Sequence, residues 1–445
     1  MCISLIGMNS LADPIPAPEM IPDPEIQFPH GDIPPGSAPL SGNSDLSYTL
    51  SGKYTIDGDI ANESNETYLS DMDDVSAVYV TNGGTLTLKN PVISTSGNTS
   101  SNDASSFFGL NGAVLANNGS TVVIEGGTIS TTGSGANGAI PTGEGTSISL
   151  KDVTITASGN GGHGVMATLG AVLNLENVSI TTTGPHGAPI ATDRGSGTVT
   201  VKGGSVYSSG DGSPGIYSTG KITVNDLNIL SEGTEAAVIE GSNSIFLTNS
   251  TVTGGDKNTP GVMIYQSFSG DAEVGKGIFT MEGGTLNNRD GSLFFVTNTD
   301  ALITLNGVKI NAGSGVLVNA SATSRWGKTG ENGGKVTFTA YNEILNGSFY
   351  TDEISSIAIK LLNNTELTGE IHTADLELDA TSTWSLTGDS TITGLTDPDG
   401  ISGNIITNII GNGYTVTYNP DNEECSALEG KTYSLVNGGI LLPKN

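Results

Sequence analysis

An aspartate followed directly by an arginine, Asp193-Arg194 in the segment IATDRGSG, is the residue pair in this sequence best suited to acid–base catalysis. A carboxylate can accept or donate a proton, and a neighbouring guanidinium stabilises negative charge that develops during a reaction. Cleavage of a glycosidic bond requires a second carboxylate, which here would come from Glu144 or Asp211. Because an Asp-Arg dipeptide alone is common, we expect solvated corner residues rather than a catalytic centre.

Two histidines, His163 and His186, are candidate metal ligands because they lie 23 positions apart, which matches the length of one structural repeat. At equivalent places in consecutive repeats, their side chains would lie about 5 Å apart, which suits a two-histidine metal clip. Two ligands without a third make a weak site, so no metal and no other cofactor is predicted. The acidic segments 71–74 and 397–399 could bind Ca²⁺ adventitiously.

The residues predicted to bind a partner lie in or beside two insertions into the repeat, at residues 266–277 and 320–335: Tyr265, Phe268, Arg325 and Trp326. A third insertion occupies residues 97–111. An indole on a projecting loop offers a flat face to a sugar ring, or an anchor to a protein. In the alternative, Trp326 folds back onto the repeat beneath it, because large aromatic side chains are usually mostly buried.

The elements that must position these residues are short strands that recur along the chain. The recurring unit reads apolar, polar, two or three turn residues, polar, apolar, as in Leu150-Lys-Asp-Val-Thr-Ile155 and Leu175-Glu-Asn-Val-Ser-Ile180. Most units start 23–26 residues apart, and a further short strand, such as residues 164–168, precedes each unit. Two to three strands per unit with Gly and Asn corners describe one coil of a parallel β-solenoid. No amphipathic helix is predicted.

The chain divides into three predicted segments. Residues 1–45 contain half of the 18 prolines, which favours an extended linker or stalk. Residues 46–394 are predicted to form a solenoid of about a dozen coils. In residues 395–445 the period breaks, and we expect a β-rich cap that protects the last edge of the solenoid.

Composition excludes several classes of function. The chain has 46 Asp and Glu against 16 Lys and Arg, a net charge of −30, which excludes nucleic-acid binding by phosphate neutralisation and opposes docking on an anionic membrane. No apolar stretch is long enough to span a membrane. The chain has only two cysteines, Cys2 and Cys425, which are too few for a disulfide framework. Gly, Thr, Ser and Asn together make up 202 of 445 residues, a bias that resembles exported proteins and predicts an extracellular or cell-surface location.

The segments GHGVMATLGAVLNLENVSITTTG, SPGIYSTGKITVNDLNILSEG and TVVIEGGTISTTG resemble right-handed parallel β-helix surface proteins of the pectin-lyase-like superfamily, especially autotransporter passengers and adhesin-like proteins. The resemblance covers roughly residues 76–394. It implies an all-β fold and a non-catalytic protein that binds an extracellular glycan, or a protein of a host or neighbouring cell, through an extended face and its insertions. The alternatives are a polysaccharide lyase or glycoside hydrolase on the same fold and, last, a binder of ice or crystal surfaces through threonine ladders.

Overall fold

The chain folds into a parallel β-solenoid of about 16 turns, with 52% of residues in strands and 3% in helices. The structure, a computed structural model, describes residues 48–256 and 258–444, so the predicted proline-rich segment lies outside the described residues. At the strand spacing of a sheet, 16 turns give a rod about 75 Å long. The all-β solenoid predicted from the repeats is confirmed.

The strands follow one another in chain order. The first are β1 (Gly52–Asp57), β2 (Ile60–Ser64), β3 (Thr67–Ser70), β4 (Ser76–Thr81), β5 (Thr85–Lys89), β6 (Val92–Thr95), β7 (Val114–Ala116), β8 (Thr121–Glu125), β9 (Thr128–Thr131), β10 (Ala139–Pro141), β11 (Ser147–Lys151), β12 (Thr154–Ala157), β13 (Val165–Thr168) and β14 (Val172–Thr182). The middle strands are β15 (Ile190–Asp193), β16 (Thr198–Ser208), β17 (Ile216–Ser218), β18 (Lys221–Asn225), β19 (Asn228–Ser231), β20 (Ala237–Glu240), β21 (Ser244–Thr248), β22 (Thr251–Gly254), β23 (Val262–Tyr265), β24 (Lys276–Glu282), β25 (Thr285–Asn288), β26 (Phe294–Thr297), β27 (Asp300–Asn306) and β28 (Lys309–Ala312). The last are β29 (Val316–Ala320), β30 (Lys335–Tyr341), β31 (Ile344–Asn346), β32 (Ser348–Thr351), β33 (Ser356–Leu362), β34 (Glu366–Thr368), β35 (Ile371–Leu378), β36 (Thr383–Ser385), β37 (Ser390–Thr396), β38 (Ile401–Ser402), β39 (Ile405–Ile410), β40 (Thr415–Tyr418), β41 (Tyr433–Val436) and β42 (Ile440–Pro443).

Each coil contributes to three parallel sheets, which we call sheets A, B and C. Sheet A begins with β1, β4 and β7, sheet B with β2, β5 and β8, and sheet C with β3, β6 and β9. The long strands β14 and β16 run through sheets B and C without interruption. The parallel pairing continues past residue 394 to β42, while β38 with β39 and β41 with β42 add antiparallel pairs within the predicted cap.

The interior is a stack of equivalent apolar side chains. Leu88 pairs with Ile124, Ile124 with Leu150 and Leu150 with Leu175, and all four are buried. Burial of each such side chain stabilises the fold by about 1.5–3 kcal/mol, so stability grows as coils stack. Trp384 is buried in the core and donates its indole N–H to the carbonyl of Gly369 at 3.0 Å.

The turn from sheet B to sheet C requires a left-handed residue, which explains the Asn, Asp and Gly at the third position of the repeat. Asn90, Asp152 and Asn177 have φ angles of 47°, 55° and 51°. Asn and Asp tolerate this conformation because their short polar side chains can hydrogen-bond locally. The side chains also bond between coils, since the amide of Asn177 donates to the carboxylate of Asp152 at 2.6 Å.

The prediction of about a dozen coils is lower than the 16 or so turns observed, because some repeats depart from the sequence pattern. In the first coil, Glu63 occupies the position of Leu88, with which it pairs, and accepts hydrogen bonds from the hydroxyls of Tyr54 and Tyr68. Near the other end coils shorten, so that Leu361 pairs with Leu378 only 17 positions later. A polar inner residue removes the apolar pattern by which a repeat is recognised, and a shortened coil changes the spacing between repeats.

The sequence predicts no amphipathic helix, and the structure adds two short helical segments that the sequence did not indicate. Helix α1 (Asn102–Phe108) lies in the insertion 97–111 and is capped by Ser101, whose hydroxyl accepts from the backbone N–H of Ala104 at 3.1 Å. A 3₁₀ helix spans Glu423–Leu428. Seven and six residues are too few to show a helical period in the sequence.

Candidate functional site

In the middle coils of the rod, the outer face of sheet A is apolar and covered. Leu115, Ile140 and Met166 point away from the interior of the rod, yet none of them is exposed to solvent. Because an apolar sheet face must be covered to be stable in water, this side of the rod has to be covered by additional chain. The insertions into the repeat supply that chain.

Helix α1 lies across several coils of sheet A. The carbonyl oxygen of Phe107 accepts hydrogen bonds from the hydroxyls of Thr142 and Thr168 at 3.1 and 2.8 Å. The guanidinium of Arg194 lies 4.2 Å from the centre of the Phe107 ring, within the range of a cation–π interaction. The first insertion therefore extends along the rod as far as the coil that contains β15.

The insertion after β23 reaches the same arginine from the opposite direction. Asp271 forms an ion pair with Arg194 at 3.6 Å, and the Asp271 side chain is almost fully buried. Asp193 accepts a hydrogen bond from the backbone N–H of Arg194 at 2.8 Å. The residues named as catalytic candidates thus join two insertions to each other and to sheet A, with Arg194 held between a ring and a carboxylate.

A buried carboxylate, Glu240, lies beneath the insertion after β23. It accepts hydrogen bonds from the hydroxyls of Tyr217 at 2.5 Å, Tyr265 at 3.0 Å and Ser269 at 3.3 Å, and from the hydroxyl of Ser267. Such bonds compensate a buried charge for its loss of water. Burial, followed by the negative charge of Glu240, raises the pKa of Tyr217 and of Tyr265 well above its ordinary value.

Glu240 shares a column with Asp193, a relation that sequence analysis missed. Ile190 pairs with Ile216 and Ile216 with Ala237, so the acids that end β15 and β20 lie at equivalent positions two coils apart. Their backbones are therefore about 10 Å apart. The sequence contains a signal for this relation, because the last residue of β15 (IATD) and the last residue of β20 (AVIE) are both acidic. Neither Glu144 nor Asp211, the acids considered from sequence, ends a strand of sheet A.

Trp326 folds back onto sheet A, which is the second of the two alternatives for this residue. Its ring centre lies 5.1 Å from that of Tyr265, which is 1% exposed, and the guanidinium of Arg325 lies 4.5 Å from the indole. Trp326 itself is half-buried, whereas Phe268 is 38% exposed. Three of the four predicted binding residues are thus brought together, as part of the cover over sheet A rather than on a projecting loop.

The two histidines are not at equivalent places, so that part of the metal hypothesis was wrong. Val165 pairs with Ile190, 25 positions later, so a spacing of 23 leaves the histidines two positions out of step. The backbone N–H of Ala188 donates to Nδ1 of His163 at 3.0 Å, while burial lowers the pKa of His186. Within residues 48–256 and 258–444, no cluster of three or more His, Cys, Asp or Glu side chains could hold a metal ion.

The acidic segments considered for Ca²⁺ use their carboxylates to fix turns. Asp73 accepts from the backbone N–H of Asn98, and Asp74 from that of Ser100, both at 2.7 Å. Asp397 accepts from the side-chain amide of Asn408 at 2.9 Å and from a backbone N–H at 3.0 Å. Asp73, Asp74 and Asp397 therefore have a structural role as hydrogen-bond acceptors in turns.

The outer faces of sheets B and C are mostly polar, and their outward side chains are exposed or half-buried. On sheet C, Thr154 and Thr156 are both exposed and lie beside Ser179 and Thr181 of the next coil. Where sheets B and C meet, charges alternate between coils, and Lys151 pairs with Glu176 at 2.7 Å. Hydroxyls, amides and charges therefore recur at the coil spacing of about 4.8 Å along these faces.

No protein-family model matches the chain, and no curated protein is significantly similar to it. In the described part of the chain, no helix is long and apolar enough to cross a membrane. The chemistry of the two kinds of outer face is therefore what supports a function.

Proposed function

We propose that the protein is a non-catalytic, adhesin-like solenoid, secreted or displayed on a cell surface, that binds an extracellular glycan or a protein of another cell. The contact surface would be the outer faces of sheets B and C together with exposed parts of the insertions. The observation that carries this proposal is the contrast between faces. The insertions, with Arg194 at their junction, cover sheet A, whereas the polar residues of sheets B and C are exposed along the rod.

A ladder of hydroxyl and amide groups suits an extended polar ligand. Each group can give or accept a hydrogen bond of modest net strength, and a polymer that follows the rod can make many of them at once. Sugar hydroxyls are matched partners for Thr, Ser and Asn side chains. The net charge of −30 keeps such a rod soluble and disfavours non-specific binding to nucleic acids.

The test is incubation of the purified protein with a panel of neutral and acidic polysaccharides, and with intact cells that carry them. We expect retention of the protein on a polymer or cell without release of new reducing or unsaturated ends. Product release that increases with protein concentration, and that disappears in Asp193→Asn, would contradict the proposal.

The second candidate function is a polysaccharide lyase or glycoside hydrolase, and one observation favours it. The backbones of Asp193 and Glu240 lie about 10 Å apart in one column, a spacing compatible with the separation of about 6.5–9.5 Å between the two carboxyl groups of inverting glycosidases. The side chains are 7% and 1% exposed, however, so the insertion after β23 would have to leave before a sugar could reach them. Loss of product release in Glu240→Gln as well as in Asp193→Asn would support this candidate.

A further inference from the structure

A groove opens beside a short corner between sheets A and B. Only Thr219 and Gly220 join β17 to β18, whereas four residues, 194–197, join β15 to β16, and ten, 266–275, join β23 to β24. The surface of the rod is recessed between the two longer corners. The resulting groove has a volume of about 260 Å³ and is bordered by Ser196, Thr198, Lys221, Ser242, Ser244 and Lys276.

The groove combines two ammonium groups with neutral polar groups and an aliphatic surface. Lys221 pairs with Ser244 and Ser244 with Ile278, which places the backbone of Lys276 about 12 Å from that of Lys221 across the groove. The side-chain amide of Asn243 donates to the carbonyl of Glu240 at 2.6 Å, which fixes its orientation beside the groove. Ile278 is 40% exposed and contributes an apolar surface.

The charge of this groove is opposite to that of the protein. Lys221 and Lys276 are exposed, and in the described chain neither is among the residues that form ion pairs, unlike Lys89, Lys151 and Lys360. Lys53 and Lys202 are also outside these ion pairs, so the concave surface that Lys221 and Lys276 share is what distinguishes them. Ammonium groups that keep their charge without a carboxylate partner of their own attract an external anion, and a concave surface strengthens that attraction.

The groove is also continuous with the polar face of sheet B. Thr198 and Ser244 border the groove and are outward residues of β16 and β21, so a ligand seated there can extend along the hydroxyl ladder. The volume is below the range of about 300–1,000 Å³ typical of pockets for drug-sized molecules, which favours one unit of a longer ligand. Hydroxyls, an amide and an aliphatic surface are the contacts that a sugar ring requires.

We propose that this groove binds an acidic sugar unit of an extracellular glycan. Lys221 and Lys276 contact its carboxylate or sulfate group, the side chains of Ser242, Asn243 and Ser244 contact its hydroxyls, and Ile278 contacts the apolar face of the ring. The assignment rests on the proposed function and names the class of ligand that the exposed face would prefer. Binding that depends on two ammonium groups weakens as ionic strength rises.

The test measures binding of three oligosaccharides of equal length by calorimetry: an oligogalacturonate, a sulfated dextran oligomer and an uncharged dextran oligomer. The groove variant is Lys221→Gln with Lys276→Gln. Its matched control is Lys53→Gln with Lys444→Gln, which changes the net charge equally at exposed positions that are not on the outer faces of sheets B and C: Lys53 lies in β1 of sheet A, and Lys444 follows β42. We expect the groove variant to lose about tenfold or more in affinity for an acidic oligomer and the control to lose less than about twofold.

A second measurement does not depend on the folding of any variant. Amine acylation of the unmodified protein, followed by mass spectrometry, should show that an acidic oligomer protects Lys221 and Lys276 but not Lys53 and Lys444. Equal losses in both variants, or equal protection of all four lysines, would overturn the assignment in favour of binding through overall charge. Binding of the neutral oligomer without dependence on the groove would overturn this assignment alone, whereas failure of the protein to bind any polysaccharide would also remove the glycan arm of the proposed function.

Discussion

The outer face of sheet A and the outer faces of sheets B and C belong to the same coils, yet they differ in their exposure to solvent. On sheet A the outward side chains include Leu115, Ile140 and Met166, and the insertions cover them. On sheet C the outward side chains include Thr154 and Thr156, and they are exposed. An insertion into a solenoid therefore does not by itself mark a projecting loop, because the strand face beneath it decides whether the inserted chain folds down.

The largest effect is expected where the cover contacts sheet A. In Phe107→Ala the variant loses a buried ring that packs on the outer face and lies under Arg194. Truncation of a buried phenylalanine costs about 3–5 kcal/mol of stability, so hydrogen exchange should show that α1 opens at much lower free energy. Phe268→Ala is the matched control, since this ring is 38% exposed. Similar effects of both substitutions would mean that the insertions are not a structural cover.

A second test compares the effect of pH on stability through a carboxyl group inside the solenoid with the effect through one on its outer face. Glu343 follows β30 at the place where Val308 follows β27, and one carboxylate oxygen accepts from the backbone N–H of Val308 at 2.7 Å. Burial raises the pKa of Glu343 from 4.5 to about 7. The protonated form is therefore favoured in the folded state, and stability decreases as the pH rises from about 4.5 through 7, by about 3 kcal/mol in all.

Urea denaturation between pH 4 and pH 9 measures this effect. Glu343→Gln should remove most of the decrease in stability above pH 5, because the amide keeps the shape of the side chain and cannot ionise. Glu366→Gln is the control, since that carboxyl group is exposed on sheet C. A pH profile that is the same in the unmodified protein and in Glu343→Gln would contradict the assignment.

The third effect is smaller because the residue is partly exposed. Arg194→Gln removes both the contact with the Phe107 ring and the ion pair with Asp271. We expect a loss of about 1–2 kcal/mol, seen as faster hydrogen exchange in residues 102–108 and 266–275 together. The control is Arg289→Gln, which breaks an exposed ion pair with Asp256 at 3.3 Å and should affect neither insertion. Faster exchange in only one insertion would show that Arg194 does not join them.

The sequence was sufficient for the solenoid and insufficient for its cover, for a physical reason. The inward positions of Leu150 and Ile155 are apolar in most coils, so alternation within a unit predicts both the strands and the core. The contact of Arg194 with Asp271 joins residues 77 positions apart and depends on the path of an insertion that has no repeat. Glu240 could have been found by alignment of the strands on their local period, and the same alignment would have separated His163 from His186.

The smallest expected effect compares two neighbouring threonines that face opposite sides of one strand. Thr182 points into the rod and is fully buried, and within the described structure its hydroxyl has no hydrogen-bond partner, whereas Thr181 faces outward. A buried hydroxyl without a partner costs about 1–3 kcal/mol, of which a methyl group in its place recovers part. Thr182→Val should therefore stabilise the protein by about 1 kcal/mol in urea denaturation, and Thr181→Val should change it by less than about 0.5 kcal/mol. Because sheet C is proposed to bind rather than to pack, only Thr181→Val should weaken retention on a polysaccharide. Loss of retention in Thr182→Val with unchanged stability would place the ligand contacts somewhere other than the outer face.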